Sequence, residues 1–335
     1  MKGKYSFVIQ DKYVRYEFEI RRNVTVLYGD SGTGKSTLVE MVMELHSHKA
    51  KGTLKCNMAE LVVGCNGMDE VADYILISTS KGKIIFIDGE CGYVRSKWFA
   101  DEVGKGENYF FIITRNDMDM IAYSVREMYQ IKSERHGKQM VNTLERRYVE
   151  SDSDGSAIPD VVVCEDRCSG YEAMGRIFCC DVQSAEGNSS VCSVARGLNK
   201  QGKGIYCIVD GAAYGAFVGE MMRLVRGKAG SGAYVGIMMW ESFEWAVLDV
   251  IRHSRDIGET FSMMLDEPWE YCDSRKFKSW ERYFTYLLGL VCDKGVLGIP
   301  FKYSKKKLDS ALKVGWLIGG VSGMLRDVDG SAKRC

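Results

Sequence analysis

The chain has 335 residues, and its 45 Lys and Arg balance 45 Asp and Glu, so the formal net charge is zero. That balance excludes a protein that holds nucleic acid through overall positive charge, while leaving room for a local basic patch. No apolar run is long enough to span a bilayer, and the length and ordinary apolar share predict two domains, each able to bury a core.

The basic N-terminus leads into alternating strands rather than a signal-peptide core, so a cytoplasmic location is expected. KYSFVIQ and YVRYEFEIR alternate in the manner of a half-buried antiparallel hairpin. A β-branched run, Val24 to Leu27, predicts the next strand and feeds GDSGTGKST. Here Gly29, Gly34, Lys35 and Ser36 fit G-x-x-x-x-G-K-[ST], and an apolar-periodic helix is predicted from Ser36 to about His46. In that context the amides of Gly29, Asp30, Ser31, Gly32, Thr33 and Gly34 can cradle phosphate oxygens. Lys35 would reach the β- and γ-phosphates, the Ser36 hydroxyl would sit on Mg²⁺, and the nucleotide-binding stretch is expected to run on through Thr37. Gly32 is expected in a positive-φ turn. His46 and His48 have no Cys or His pair at metal-ligand spacing and read as a solvated helix end.

Ile84 to Ile87 form an apolar strand that runs into Asp88. A buried parallel strand would deliver that carboxylate to Mg²⁺ at its carboxyl end, whereas the dipeptide Asp88-Gly89 also suits a plain turn. A helical stretch and a further buried strand in NYFFIITRND complete a βαβ pattern. Twelve cysteines, none in C-x-x-C spacing, are expected as reduced thiols.

The hairpin, GDSGTGKST, IIFID and FFIITRND together resemble the nucleotide-binding core of the ATP-binding-cassette class, above all the compact ATPases of the overcoming-lysogenisation-defect (OLD) type. The resemblance spans about Tyr5 to Tyr148 and implies binding of ATP with Mg²⁺. It departs at three places. Gly89 stands where the catalytic glutamate is expected, which leaves Glu90, one place on, as the candidate acid. Arg115 takes the position of the switch histidine, and no L-S-G-G-Q-like signature separates the two motifs. Nucleotide binding is therefore better supported than rapid hydrolysis.

ESDSDGSAIPD, Glu150 to Asp160, has the composition of an exposed linker, so the expected division is 1–149, a linker at 150–160, and a second α/β domain over 161–335. Val161 to Val163 read as a buried strand with Glu165 and Asp166 at its carboxyl end. Ile205 to Val209 read as another, ending in Asp210 and followed by a helix. Two such strand ends in one parallel sheet can converge on a divalent cation. The arrangement resembles a Toprim domain, which implies the glutamate role for Glu165, the first aspartate for Asp210, and both as catalytic metal ligands. Ala212 occupies the second aspartate position, so Glu220 or Glu241 would have to compensate. MMWESFEWAVLDVI is predicted as one helix, with Trp240, Phe243, Val247 and Ile251 as its core stripe.

Asp273 to Lys313 is rich in basic residues interleaved with Trp280, Tyr283, Phe284, Phe301 and Tyr303. This composition serves either a nucleic-acid surface or a solvated helix face over core aromatics. The expected protein is thus an α/β nucleoside triphosphate-binding protein, with ATP favoured over GTP because no N-K-x-D pattern occurs. It would be coupled to a Toprim-like metal site acting on nucleic acid; the rival is a regulatory switch with a non-catalytic second domain and a nucleotide-dependent homo-oligomer.

Overall fold

The computed structural model describes residues 1–29, 34–45, 54–148, 159–227, 233–254 and 258–293. The chain divides into two compact units, Met1–Val149 with Glu267–Ser279, and Glu150–Asp266 with Trp280–Cys335. Both are α/β.

In the first unit the described strands are β1 (Tyr5–Gln10), β2 (Val14–Ile20), β3 (Val24–Tyr28), β4 (Lys55–Cys56), β5 (Val62–Cys65), β6 (Ile84–Asp88), β7 (Tyr109–Thr114), β8 (Met128–His136) and β9 (Gln139–Arg146). The helices are α1 (Lys35–Leu45), α2 (Glu70–Thr79) and α3 (Lys97–Lys105). One sheet runs β4-β1-β2-β9-β8-β3-β7-β6-β5. Its β8-β3-β7-β6-β5 portion is parallel, while β1 and β2 form the antiparallel hairpin predicted from their alternation.

Every residue of β3 and β7 is buried, as continuous apolar runs between two covered faces require. The α1 residues Leu38, Val39 and Val42 join Val62, Ile84 and Phe86 in one core. The sheet also curls. β1 and β6 are far apart in strand order, yet the rings of Phe7 and Phe86 lie 4.9 Å apart, and Phe18 and Phe111 lie 5.0 Å apart. Closing the curved face over these rings buries the hairpin's apolar side, a contact worth about 0.5–1.5 kcal/mol per ring pair beyond its area.

A buried ion cluster braces the unit. Glu127 is fully buried, with Arg21 Nε at 3.0 Å, Arg22 Nε at 3.9 Å and the Tyr129 hydroxyl donating at 3.2 Å.

The second unit has a parallel sheet, β11-β10-β12-β13, made of β10 (Val161–Cys164), β11 (Asp181–Ser184), β12 (Ile205–Asp210) and β13 (Val235–Trp240). Helices α4 (Ser169–Ile177), α5 (Asn188–Lys200) and α6 (Gly215–Arg226) connect them, and α7 (Phe243–Ser254) and α8 (Glu259–Asp266) follow. One expected helix is two elements. Val235–Trp240 pairs with β12 as a strand, because a short apolar run beside an open sheet edge satisfies its amides there. The helix begins only after Ser242, whose hydroxyl caps it by accepting from the Trp245 amide at 3.1 Å. Phe243, Val247 and Ile251 are buried as the predicted stripe requires.

Two short helices, α9 (Pro268–Tyr271) and α10 (Ser274–Phe277), belong to the first unit, although the composition of 161–335 placed them in the second. Backbone bonds hold them there: Gly3 N to Trp269 O at 2.8 Å and Ser274 N to Met1 O at 2.9 Å. The chain then forms α11 (Trp280–Asp293) in the second unit. Cys179 is disulfide-bonded, which corrects the expectation of a reduced thiol there; Cys65, Cys91, Cys164, Cys192 and Cys207 are free and buried. Among the described residues no helix is long and apolar enough to cross a membrane.

Candidate functional site

Parallel pairing sets Tyr28 opposite Thr114 and Asp88 opposite Ile113, so Gly29, Arg115 and Asp88 follow or end three neighbouring strands at one edge of the sheet. Asp30, Ser31, Gly32 and Thr33 lie outside the described residues, as do His46 and His48. Gly34 has φ of +85°, and a Cβ there would lie 2.8 Å from the Tyr16 hydroxyl. That hydroxyl donates to the Gly34 carbonyl at 2.6 Å, so the end of the glycine-rich loop is tied to β2. Burial pushes the Tyr16 phenol up to about 12, so it stays a donor across the physiological range.

Lys35 opens α1 and is 7 % exposed, whereas Ser36 and Thr37 are exposed on the first turn. The N-terminus of an α-helix favours an anion. The Ser36 hydroxyl and Asp88 carboxylate are hard oxygen donors of the kind Mg²⁺ takes, so the donor set fits that ion.

Asp88 also makes the turn that its Gly neighbour predicts. Its Oδ1 accepts from the Glu90 amide at 3.2 Å and its carbonyl from the Cys91 amide at 3.1 Å. The Gly89 amide donates to the Ile113 carbonyl at 2.5 Å, and a Cβ at Gly89 would meet that same oxygen at 2.5 Å and Thr114 Cβ at 2.7 Å. The position therefore admits no side chain. Glu90, the displaced candidate acid, is exposed on the turn.

Beside Gly29 lies a cavity of about 180 Å³ lined by Tyr28, Gly29, Arg115, Gln130 and Arg147. The Arg147 guanidinium is stacked 4.3 Å above the Tyr28 ring. Tyr28 is fixed in turn, its hydroxyl 2.8 Å from that of Tyr123 and donating to Asp117 at 3.2 Å. Sequence motifs singled out Arg115. They gave no sign of Arg147 or Gln130, which β8 and β9 bring to this edge from more than a hundred residues away; the usable hint was the doublet Arg146-Arg147 at the end of a strand.

In the second unit the chain leaves β10 for β11 on one side and returns to β12 on the other, which makes the β10/β12 boundary a topological switch point. Ligands of open parallel sheets bind outside the carboxyl ends of strands at such a point. Glu165 follows β10 and Asp210 ends β12, so the two predicted acids do come together. The Asp210 amide donates to Glu165 Oε2 at 2.9 Å, and Asp210 Oδ1 accepts the Phe243 amide at 2.9 Å, the first amide of α7. Burial and the nearby carboxylates of Glu165, Glu244 and Glu281 hold the Asp210 carboxyl well above its usual range. A cavity of about 30 Å³ beside the pair is lined by Cys164, Asp166, Trp240 and Phe243 among others. That is room for an ion or a water, not for a nucleotide.

The compensating ligands are placed otherwise. Glu220 is paired with Arg196 at 2.5 Å, and Ala212 is buried with its amide on the Glu241 carbonyl at 3.1 Å. Among the described residues no group of three or more His, Cys, Asp or Glu is positioned to hold a metal ion.

The basic and aromatic C-terminal stretch does not form one surface in its described part. Arg275 is bonded to Asp273, Lys278 Nζ donates to the Lys105 carbonyl at 2.7 Å in the first unit, and Tyr283 and Phe284 are buried in the second. Core burial removes the latter two rings as stacking platforms. Phe301, Tyr303 and the lysines from Lys294 to Lys313 lie outside the described residues.

The chain matches no protein-family model, no curated protein and no solved structure.

Proposed function

We propose that the first unit binds a nucleoside triphosphate, ATP, with Mg²⁺, and that the chain is a nucleotide-controlled regulatory protein with slow or absent hydrolysis. The observation that carries this reading is the common edge of β3, β7 and β6, where Gly29, the positive-φ Gly34, the buried Lys35 at the start of α1, and Asp88 follow one another in the order a P-loop and its metal carboxylate need. Slow turnover follows from Gly89, where backbone contact forbids the side chain of a base, and from Glu90, which faces solvent.

Titration with ATP·Mg²⁺ tests it. Lys35→Ala is expected to weaken binding at least tenfold and Asp88→Asn to remove its Mg²⁺ dependence; unchanged affinity in Lys35→Ala would refute the reading. Tight binding with negligible turnover, and an oligomer size that changes with nucleotide in light scattering, fit a homo-oligomeric switch.

The crossover at Glu165 and Asp210 favours a second reading, in which the pair holds a divalent cation that acts on nucleic acid in the manner of a Toprim-like, OLD-like nuclease. The carboxylate of Asp210, its pKa raised at a strand crossover, is suited to a cation that would lower that pKa again. Cleavage of plasmid and RNA with Mg²⁺ or Mn²⁺, lost in Glu165→Ala, would establish it. Equal or absent cleavage in both proteins discards it.

A further inference from the structure

Among the described residues, the cavity beside Gly29 is lined by two arginines and by no acid. Among the described residues, neither guanidinium is in an ion pair, and two neighbouring carboxylates are bonded to uncharged members of the lining instead. Glu145 accepts from Gln130 Nε2 at 3.1 Å, and Asp117 accepts from the Tyr28 hydroxyl. Two cations on one concave surface repel one another unless an anion lies between them.

The site is also built before any ligand arrives. Tyr28 is 2 % exposed and its hydroxyl is bonded twice, so its ring is a fixed platform. Arg147 rests its flat face on that ring, which leaves the N–H edge of the guanidinium free to donate. A cation held this way loses little further freedom on binding.

Size narrows the ligand. The cavity, about 180 Å³, is far larger than the 10–15 Å³ or so that a water needs, and smaller than the roughly 300 Å³ where pockets for drug-sized ligands begin. A group of a few heavy atoms with two negative charges matches both the volume and the two forks of N–H donors.

We infer that Tyr28, Gly29, Arg115, Gln130 and Arg147 form a binding site for a tetrahedral oxyanion, a phosphate group, held by the guanidinium edges of Arg115 and Arg147. The group has two sources. Free inorganic phosphate requires nothing beyond this cavity, whereas the terminal phosphoryl group of a bound nucleotide rests on the nucleotide-binding reading above.

Calorimetric titration of the full chain with inorganic phosphate, ADP and ATP tests the inference, using wild type, Arg115→Gln, Arg147→Gln, Arg147→Lys and Lys35→Ala. Wild type is expected to bind phosphate, and each Arg→Gln variant to bind it about tenfold more weakly. Arg147→Lys keeps the charge without the stacked fork and should fall between them. If the source is the nucleotide, wild type prefers ATP over ADP about tenfold, and Arg147→Gln loses that preference while keeping its ADP affinity. Phosphate binding that survives in Lys35→Ala, with no nucleotide bound by any protein, supports the free-anion source and removes the nucleotide reading. Nucleotide binding without phosphate binding, and with the same ATP to ADP ratio in wild type and Arg147→Gln, overturns the oxyanion site and leaves the nucleotide reading intact. A measurement on wild type alone guards against a variant that fails to fold. Phosphate must raise the thermal midpoint where chloride at equal ionic strength does not, and equal effects of the two salts overturn the inference.

Discussion

The backbone amide of Asp210 donates to the Glu165 carboxylate at 2.9 Å across the β10/β12 crossover. This single bond makes Glu165 the acceptor for the end of a neighbouring strand, and Asp210 performs the matching service for the first amide of α7. Each acid therefore satisfies a main-chain donor that would otherwise be left open at the edge of the sheet. Both carboxyls have a structural task, with or without a cation between them.

The close packing of acids at Asp210 makes the second unit sensitive to pH. A carboxyl whose folded pKa is raised contributes stability that is fully present below the unfolded value, about 3.9, and is lost as pH rises through the folded value. Urea denaturation of wild type should show falling stability of the second unit as pH rises above about 4. Asp210→Asn keeps an acceptor for the Phe243 amide and removes the charge, so it should be more stable than wild type at pH 7 by about 1–2 kcal/mol and show a flatter pH profile. A destabilised Asp210→Asn would show that the ionised form is preferred.

Glu127 is fully buried against Arg21 and Arg22. Replacing it with Gln leaves buried cations without their counter-charge, which costs about 3–5 kcal/mol when a buried pair is broken. Guanidinium melts of Glu127→Gln should show a lower midpoint at an unchanged slope, and a loss under about 1 kcal/mol would count against the brace.

Placing a glutamate at Gly89 should not create an ATPase. The Cβ of Gly89→Glu would meet the Ile113 carbonyl at 2.5 Å, so β6 and β7 must part. The expected result is a stability loss of about 1–3 kcal/mol or more, as for other overpacked sites, with no gain in phosphate release. A folded Gly89→Glu with raised turnover would show that the strands separate cheaply.

The first unit should unfold in alkali. Burial raises the phenols of Tyr16, Tyr123 and Tyr129 to about 12, while exposed phenols in the unfolded chain ionise near 10. With the folded values raised, stability is intact below pH 10 and declines between about 10 and 12. Tyrosinate absorbance and loss of circular dichroism should therefore rise together over that interval. Tyr16→Phe, which loses the bond to the Gly34 carbonyl, should cost about 0.5–1.5 kcal/mol at pH 7.

Much of this protein was legible along the chain. Val24 to Leu27, Ile84 to Ile87, Val161 to Val163 and Ile205 to Val209 are buried in strands because each is an apolar run bounded by turn residues, and such runs require only local information. The acids at strand ends were readable for the same reason. Tertiary structure alone decided the rest. Arg147 reaches Tyr28, Tyr16 reaches Gly34, and Glu165 accepts the Asp210 amide because strand order, not sequence distance, makes neighbours. The return of Glu267–Ser279 to the first unit and the burial of Tyr283 and Phe284 are likewise set by which apolar face finds a partner. Composition counts charges and rings, but only packing determines which of them meet solvent, because burial is a property of the whole folded surface rather than of any one segment.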